Sequence, residues 1–485
     1  MSCMRIDSIL KIVLTFMLIL SCSDKSSNKI QNELCAVRSN ISLIPPSPIT
    51  KQILLDIRGG IWNDLEEDER FEISVYVDNV DDKFLIYKDS YVIPAHGNKG
   101  FKFMFDVDSF VGNHNIIMVT KFKDKCQTKI EPIEVVDSSI RSTKKIDGAW
   151  FEFYHWCENE GRLWNEDIIK LTDNQWKQLV KGMHDIDMNI MVIQELFRCQ
   201  AYVDEHKMDS LGYKGIPYYP SSLYPIGDND TLLSQVNNGK SSPIYNKYTK
   251  LQANDAVKAV LEEAERRNMK VFLGVGSYAW FDFSSGALKW SKEVAKELWE
   301  KYGHYKSFYG WYISAEIAGN LGKDKLHREN IVSFFRGFSE FVREMAPEKP
   351  IMLATNCHSI KEAEDYYPKL LQYLDIICPF GFHRMPENDY SGDEAAKILQ
   401  KYCDDSGCHL WMDLELFNFR NDGALYPRSI NEIVKDLDVY DNFEKICCYS
   451  YTGLLNAGWQ EVCPGGDYTV DLYNDYMRYL INYKQ

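Results

Sequence analysis

From Asp147 onward the chain alternates apolar runs with amphipathic stretches. The apolar runs fall at 149–155, 189–196, 270–277, 308–315, 350–356, 374–380, 409–415 and 445–451, a length that suits strands buried on both faces. Between them apolar residues recur at helical spacing. Thr172-x-x-Gln175 forms a capping box ahead of Trp176, Leu179, Val180 and Met183 on one face. Val257, Val260, Leu261 and Ala264 make a second stripe that ends at Asn268, and Ser429-x-x-Glu432 caps a later helix. Eight strands interleaved with helices predict an α/β fold, a closed (β/α)8 TIM barrel over residues 145–485. An open doubly wound sheet is the rival, but no Gly-rich phosphate turn follows the first strand. One connection is unusually long: residues 198–252 carry Tyr213, Tyr218, Tyr219, Tyr224, Tyr245 and Tyr248. On the catalytic face of a barrel such a loop is expected to wall one side of a substrate cleft.

Residues 32–138 have a different period. Phe71, Ile73, Val75 and Val77 alternate with Glu72, Ser74, Tyr76 and Asp78, and Phe101, Phe103, Phe105 and Val107 repeat the pattern. Gly97-Asn98 and Gly112-Asn113 mark turns, so the barrel is preceded by an all-β, sandwich-like domain. A spacer that lifts the barrel off a membrane is favoured over a carbohydrate-binding module. The membrane enters through residues 1–22. Arg5 and Lys11 flank the run Ile12 to Leu20, which is too short to span a bilayer and is built like a secretory signal. It ends in Ile19-Leu20-Ser21-Cys22, the pattern that precedes a lipidated cysteine, and residues 23–31 read as a polar tether. An outer-membrane lipoprotein anchored through Cys22 is expected, facing the periplasm or the cell surface.

Composition excludes one partner class. The net charge of −16 disfavours a nucleic-acid backbone. Apart from Cys3 and Cys22, the cysteines show no metal-ligand spacing. Cys35 and Cys126 fall in the β domain, where they can pair. Cys157, Cys199, Cys357, Cys378 and Cys447 fall on or beside barrel strands, where small buried thiols are expected. The 30 Tyr and 11 Trp suit sugar-stacking surfaces and large cores alike.

In a barrel the chemistry sits at the carboxy ends of the strands. Glu316 ends the apolar run Phe308 to Ala315, and Glu415 ends the run from His409. Strands four and seven lie across the barrel mouth, so the two carboxyl groups can converge. Glycosidic cleavage needs such a pair: one acid protonates the departing oxygen, and the other attacks the anomeric carbon or activates water. The apolar lead-in through Trp311, Tyr312 and Ile313 favours a protonated Glu316. The competing reading makes each glutamate a solvated or ion-paired group, with Arg384 or Arg420 as the partner. Asp413 shares the face of Glu415, as a back-up nucleophile or an ionic partner one layer down. His155, Trp156, Gln194, Trp280, Asn356, His383, Arg384, Tyr449 and Tyr451 lie at strand ends or in their loops and are candidates to bind substrate. A tyrosine of strand eight is placed to hydrogen-bond the nucleophile. The histidines lack ligand spacing, so neither a metal nor a cofactor is expected.

The segment Gly310-Trp311-Tyr312-x-x-x-Glu316, followed by Trp411-x-Asp413-x-Glu415-x-Phe417, resembles the barrel family catalogued as domain of unknown function 4434, over residues 145–455. That family is similar in turn to the clan A retaining glycosidases. The resemblance implies Glu316 as acid/base, Glu415 as nucleophile and Gln194 as a hydroxyl-binding amide. Ala315 stands where the clan usually carries an Asn that binds the sugar 2-hydroxyl, and Asn356 is the candidate replacement. The expected function is retaining hydrolysis of an oligo- or polysaccharide without a cofactor. The alternatives are a non-catalytic glycan-binding lipoprotein on the same barrel and a metal-dependent hydrolase.

Overall fold

The computed structural model describes residues 37–155, 157–199, 215–223, 250–276, 282–322 and 324–483. Cys22, the tether, Cys35, Trp156, Trp280 and most of the 198–252 insertion lie outside the described residues. Among those described, no helix is long and apolar enough to cross a membrane. The chain divides into two compact units. One holds Gly59–Phe101, Ile116–Ile130 and the segment ending at Ile41; the other holds Ser42–Arg58, Lys102–Asn115 and Glu131–Gln485.

The first unit is antiparallel β structure. Strand Glu69–Val77 pairs on one side with Leu85–Ile93 and on the other with the strand ending at Phe122, in the registers Phe71↔Tyr91 and Ile73↔Thr120. Phe71, Ile73, Val75 and Val77 are buried, as their alternation predicts, but Ser74 and Tyr76 are buried too. Gly59 lets its strand lie against the Phe101 ring, since a Cβ there would stand 2.2 Å from a ring carbon. Cys126 is an exposed free thiol.

The second unit contains a closed barrel of eight parallel strands. In chain order its elements are β1 (Gly148–Phe151), α1 (Asp173–Asp185), β2 (Ile190–Ile193), α2 (Ala256–Arg266), β3 (Lys270–Gly274), α3 (Ser285–Tyr302), β4 (Phe308–Ile317), α4 (Lys325–Met345), β5 (Ile351–Thr355), α5 (Tyr367–Leu370), β6 (Ile376–Ile377), α6 (Gly392–Ser406), β7 (His409–Glu415), α7 (Ile430–Val439), β8 (Lys445–Tyr449) and α8 (Asp467–Tyr483). β8 pairs back onto β1, Cys447 opposite Gly148, and closes the ring. Each strand forms where its apolar run predicts. β6 is the shortest, because Pro379 within its run has no N–H to give to a ladder. Thr172 and Gln175 cap α1 reciprocally, and its Trp176, Leu179, Val180 and Met183 are buried. Tyr218 and Tyr219, expected in the cleft wall, are buried instead in the apolar layer shared with Phe197, Trp290 and Tyr302. The Tyr219 hydroxyl reaches Glu297 on α3 at 2.6 Å, so its one polar atom is already satisfied away from any cleft. Cys157, Cys357, Cys378 and Cys447 are buried free thiols.

The barrel interior is filled by Trp150, Ile190, Val192, Phe272, Tyr309, Tyr312, Met352, Ile376, Cys378, Trp411 and Cys447. Ile44 packs with them, so the segment 42–58 closes the mouth at the amino ends of the strands. Polar bonds hold the segment there. Tyr309 Oη donates to Leu43 O at 2.6 Å, Asn189 Nδ2 to Ser47 O at 2.7 Å, and Lys445 Nζ to Pro48 O. Beneath lies a buried ionic cluster in which Arg58 contacts Asp56 at 2.5 Å and Asp375 at 2.7 Å, and Arg343 reaches Asp375 at 2.8 Å. Burial alone would raise the Asp375 carboxyl, but Arg343 and Arg58 hold it well below the usual carboxylate range. Arg58→Ala leaves the buried Asp56 without its arginine and takes one of two from Asp375, and is expected to cost about 3–5 kcal/mol. Urea unfolding at neutral pH measures it; a loss below about 1 kcal/mol contradicts the clamp.

Candidate active site

At the carboxy ends of the strands the filling is incomplete. Side chains two apart on a strand share a face. Tyr312, Ser314 and Glu316 on β4, and Asp413 and Glu415 on β7, therefore point the same way, into a cavity of about 260 Å³. Small residues, Ser314 and Ala354, leave that space open. Aromatic rings complete its lining: Trp150, Tyr312, Phe380, Phe417, Phe419 and Tyr449. Phe417–Phe419 pairs antiparallel with Leu425–Pro427, so the chain leaving β7 folds back as a hairpin that forms one wall.

Glu415 is 3% exposed and held from several sides. Arg384 donates to its Oε1 from Nε at 2.8 Å and from Nη2 at 2.6 Å. His383 Nδ1 stands 3.0 Å from Oε2, off the line of a well-formed hydrogen bond, so Oε2 accepts none of good geometry among the described residues. Arg428 donates to the Glu415 carbonyl at 2.8 Å and pins the backbone. Burial would raise the Glu415 carboxyl, but the contacts from His383 and Arg384 outweigh it and hold it below its ordinary value.

Glu316 has the opposite setting. It is partly exposed to the cavity but otherwise surrounded by protein. Burial pushes its carboxyl up to about 7, against the pull of Arg384 and with added repulsion from Glu160 and Glu415. Asp413, 4% exposed, has an unpartnered Oδ1 and no ion pair among the described residues. Burial, then the charges of Glu415 and Glu316, raise it well above the usual range. It makes no ion pair among the described residues, so it is not the ionic partner expected. Among the described residues no group of three His, Cys, Asp or Glu is disposed to hold a metal.

The structure brings together Glu316, Glu415, His155, Gln194, Arg384 and Tyr449 around this cavity, with His383 behind Glu415. Gln194 presents a buried Oε1 with no hydrogen-bond partner among the described residues. His155 is fully buried, and carboxylates occupy both its ring nitrogens: Glu152 lies 3.0 Å from Nδ1 and Glu160 3.1 Å from Nε2. Tyr449 donates to Glu152, not to the nucleophile candidate. Asn356 and Tyr451 fall elsewhere. The Asn356 carbonyl oxygen accepts from Gly319 N at 2.8 Å and His358 N at 3.1 Å and so braces a loop, with no amide on the sugar side. Tyr451 is buried behind the barrel wall, where Gln460 donates to it at 3.3 Å. Glu152 and Glu160 were missed from the sequence. Glu152 directly follows β1, and Glu160 lies in the acidic stretch Glu158-Asn159-Glu160 farther on.

The profile of a family described as "Domain of unknown function (DUF4434)" matches residues 146–458. The chain belongs to this family. The match spans all eight barrel strands of the DUF4434 chain and both glutamates. Comparison with curated proteins returns no match. Among solved structures the chain is similar to a candidate α-L-fucosidase from Bacteroides thetaiotaomicron, at 18% identity and TM-score 0.47, over 69% of this chain and 95% of that one. It is also similar to β-glucuronidase 2 of Bacteroides uniformis, at 12% identity and TM-score 0.38, over 90% and 50%. A β-glucuronidase of Parabacteroides merdae follows at 10% identity and TM-score 0.35, over 92% and 52%. The chain thus spans about half the length of the two β-glucuronidases.

Proposed function

We propose that the chain is a glycoside hydrolase with a (β/α)8 barrel of glycosidase type, cleaving an oligo- or polysaccharide with retention of configuration. One observation carries the reading: two glutamates at the ends of β4 and β7 share one cavity, and their surroundings push their protonation in opposite directions. That split is what assigns acid and nucleophile in a two-carboxylate mechanism. Glu415 Oε2, the oxygen left free by Arg384, attacks the anomeric carbon while Glu316 gives its proton to the departing oxygen. Glu316, now ionised, takes a proton from water, and that water displaces Glu415. Arg384 lowers the basicity of Glu415 and in return keeps it ionised in a buried site.

The same arginine favours a second reading, a glycan-binding lipoprotein in which Glu415 is only an ion-paired wall residue. Hydrolysis of aryl glycosides and oligosaccharides, measured with the wild type and with Glu316→Gln and Glu415→Gln, separates the two. Turnover lost in both variants supports the enzyme. Sugar binding without cleavage, unchanged by Glu316→Gln, supports the binding protein.

The anchoring reading rests on Ile19-Leu20-Ser21-Cys22 and the polar residues after it. The protein is held at the outer membrane by lipid on Cys22, with the amino-terminal β-sheets as a sandwich-like spacer. Cys22→Ser is expected to shift the protein from the membrane to the soluble fraction and to remove the acyl mass of the amino-terminal peptide. Retention of both contradicts the anchor.

A further inference from the structure

Outside the Glu316 and Glu415 pair, the same cavity holds a chain of buried polar groups that the double displacement leaves unused. Tyr449 Oη donates to Glu152 Oε1, and Glu152 Oε1 meets His155 Nδ1 at 3.0 Å. His155 Nε2 meets Glu160 Oε2 at 3.1 Å. Glu152 and His155 are buried, whereas Tyr449 is half-buried and the Glu160 side chain is 22% exposed; Tyr449 and Glu160 both line the cavity. Its position is built. Asn165 Oδ1 accepts from His155 N at 2.9 Å, and Leu425 N donates to Glu160 O at 3.0 Å. Gly161 allows the loop to close on His155, since a Cβ there would stand 2.4 Å from the His155 Cβ. Burial works against a charged His155, but Glu152 and Glu160 raise it to about 9, so it stays an imidazolium at neutral pH.

Two features say what this wall is for. Asp413 lines the same cavity, and its buried Oδ1 has no partner among the described residues, a polar demand unmet beside that space. Arg384 is the one Lys or Arg among the described lining residues, and it is engaged by Glu415. Among the described residues the cavity offers hydrogen-bond acceptors and no uncommitted lysine or arginine.

We infer that Glu160 is a further carboxylate of the sugar site, oriented by Tyr449, Glu152 and His155 to accept hydroxyl hydrogens of an uncharged glycone. The inference rests on the glycoside-hydrolase reading of this cavity and adds the substrate class: a neutral sugar, with uronic acids and sulfated sugars excluded. Glu160 is a specificity residue; Glu152 and His155 act through it as positioning residues.

Calorimetric titration of the full-length protein tests this without the natural substrate. The probes are the uncharged glucono-δ-lactam, its galacto-, manno- and fuco-configured counterparts, and the carboxylate-bearing glucaro-δ-lactam. At least one neutral probe is expected to bind, and more tightly than the carboxylate-bearing one. Glu160→Gln is expected to weaken it by about tenfold, as for a lost hydrogen bond to a charged group. Glu152→Gln weakens it in the same direction by less, with thermal unfolding of both variants checked. A neutral probe that binds with less than about a fivefold change in Glu160→Gln overturns the inference and leaves the hydrolase reading standing. So does tighter binding of the carboxylate-bearing probe to the wild type, a comparison that needs no variant. If none of the probes binds, the inference and the sugar-site reading fall together.

Discussion

Glu415→Gln is expected to lower kcat/KM by roughly 10⁴-fold or more, the scale seen when a covalent nucleophile is removed. The amide keeps the shape of the side chain, but it is uncharged and too weak a nucleophile to attack the anomeric carbon. The substitution also leaves Arg384 without its carboxylate, so lost activity alone does not separate chemistry from structure. Azide makes the separation. In Glu415→Ala the space left is open to a small anion, and azide is expected to restore turnover of an activated aryl glycoside, giving a glycosyl azide of inverted configuration. A purely structural Glu415 gives no such product.

Glu316→Gln is the second large effect, about 10²- to 10⁴-fold on substrates with a poor leaving group. A dinitrophenyl leaving group departs without protonation, so the loss in the first step shrinks for it. The pH profile carries the same information. Glu316 is raised to about 7 and acts protonated, so wild-type activity falls as pH rises through about 7. Glu415 is lowered and acts ionised, so the acid limb lies below the ordinary value of a glutamate. Glu316→Gln should abolish the alkaline limb and leave the acid one. An alkaline limb unchanged in the variant removes Glu316 from the acid role.

The barrel was legible because each strand announces itself as a short apolar run and each long helix as a stripe. That pattern is local. Glu316 and Glu415 were legible for a related reason: a carboxylate closing an apolar run is costly unless something uses it. Pairing across the sheet was much less legible. Tyr449 and Glu152 are 297 residues apart in sequence, so nothing in either segment says that the hydroxyl serves Glu152 rather than Glu415. The structure places His155 at the cavity, where the sequence offers it as a candidate to bind substrate, with two carboxylate partners that the sequence does not reveal. Arg384 was weighed as an ion-pair partner of a glutamate, and the structure puts it on one oxygen of Glu415. Asn356 and Tyr451 show the limit of strand-end reasoning. A residue one or two positions past a strand faces the cavity or the outer layer according to how the loop turns, and sequence period does not carry over into a loop.

The central claim is that Glu415 forms a covalent bond to the sugar. The most direct measurement is peptide mapping by mass spectrometry after incubation with a fluorinated, activated glycoside of a sugar the enzyme cleaves. The account predicts one glycosyl adduct, on the peptide carrying Glu415, that fails to form in Glu415→Gln. An adduct on Asp413 or Glu160, or turnover of the parent glycoside with no adduct at all, would contradict it.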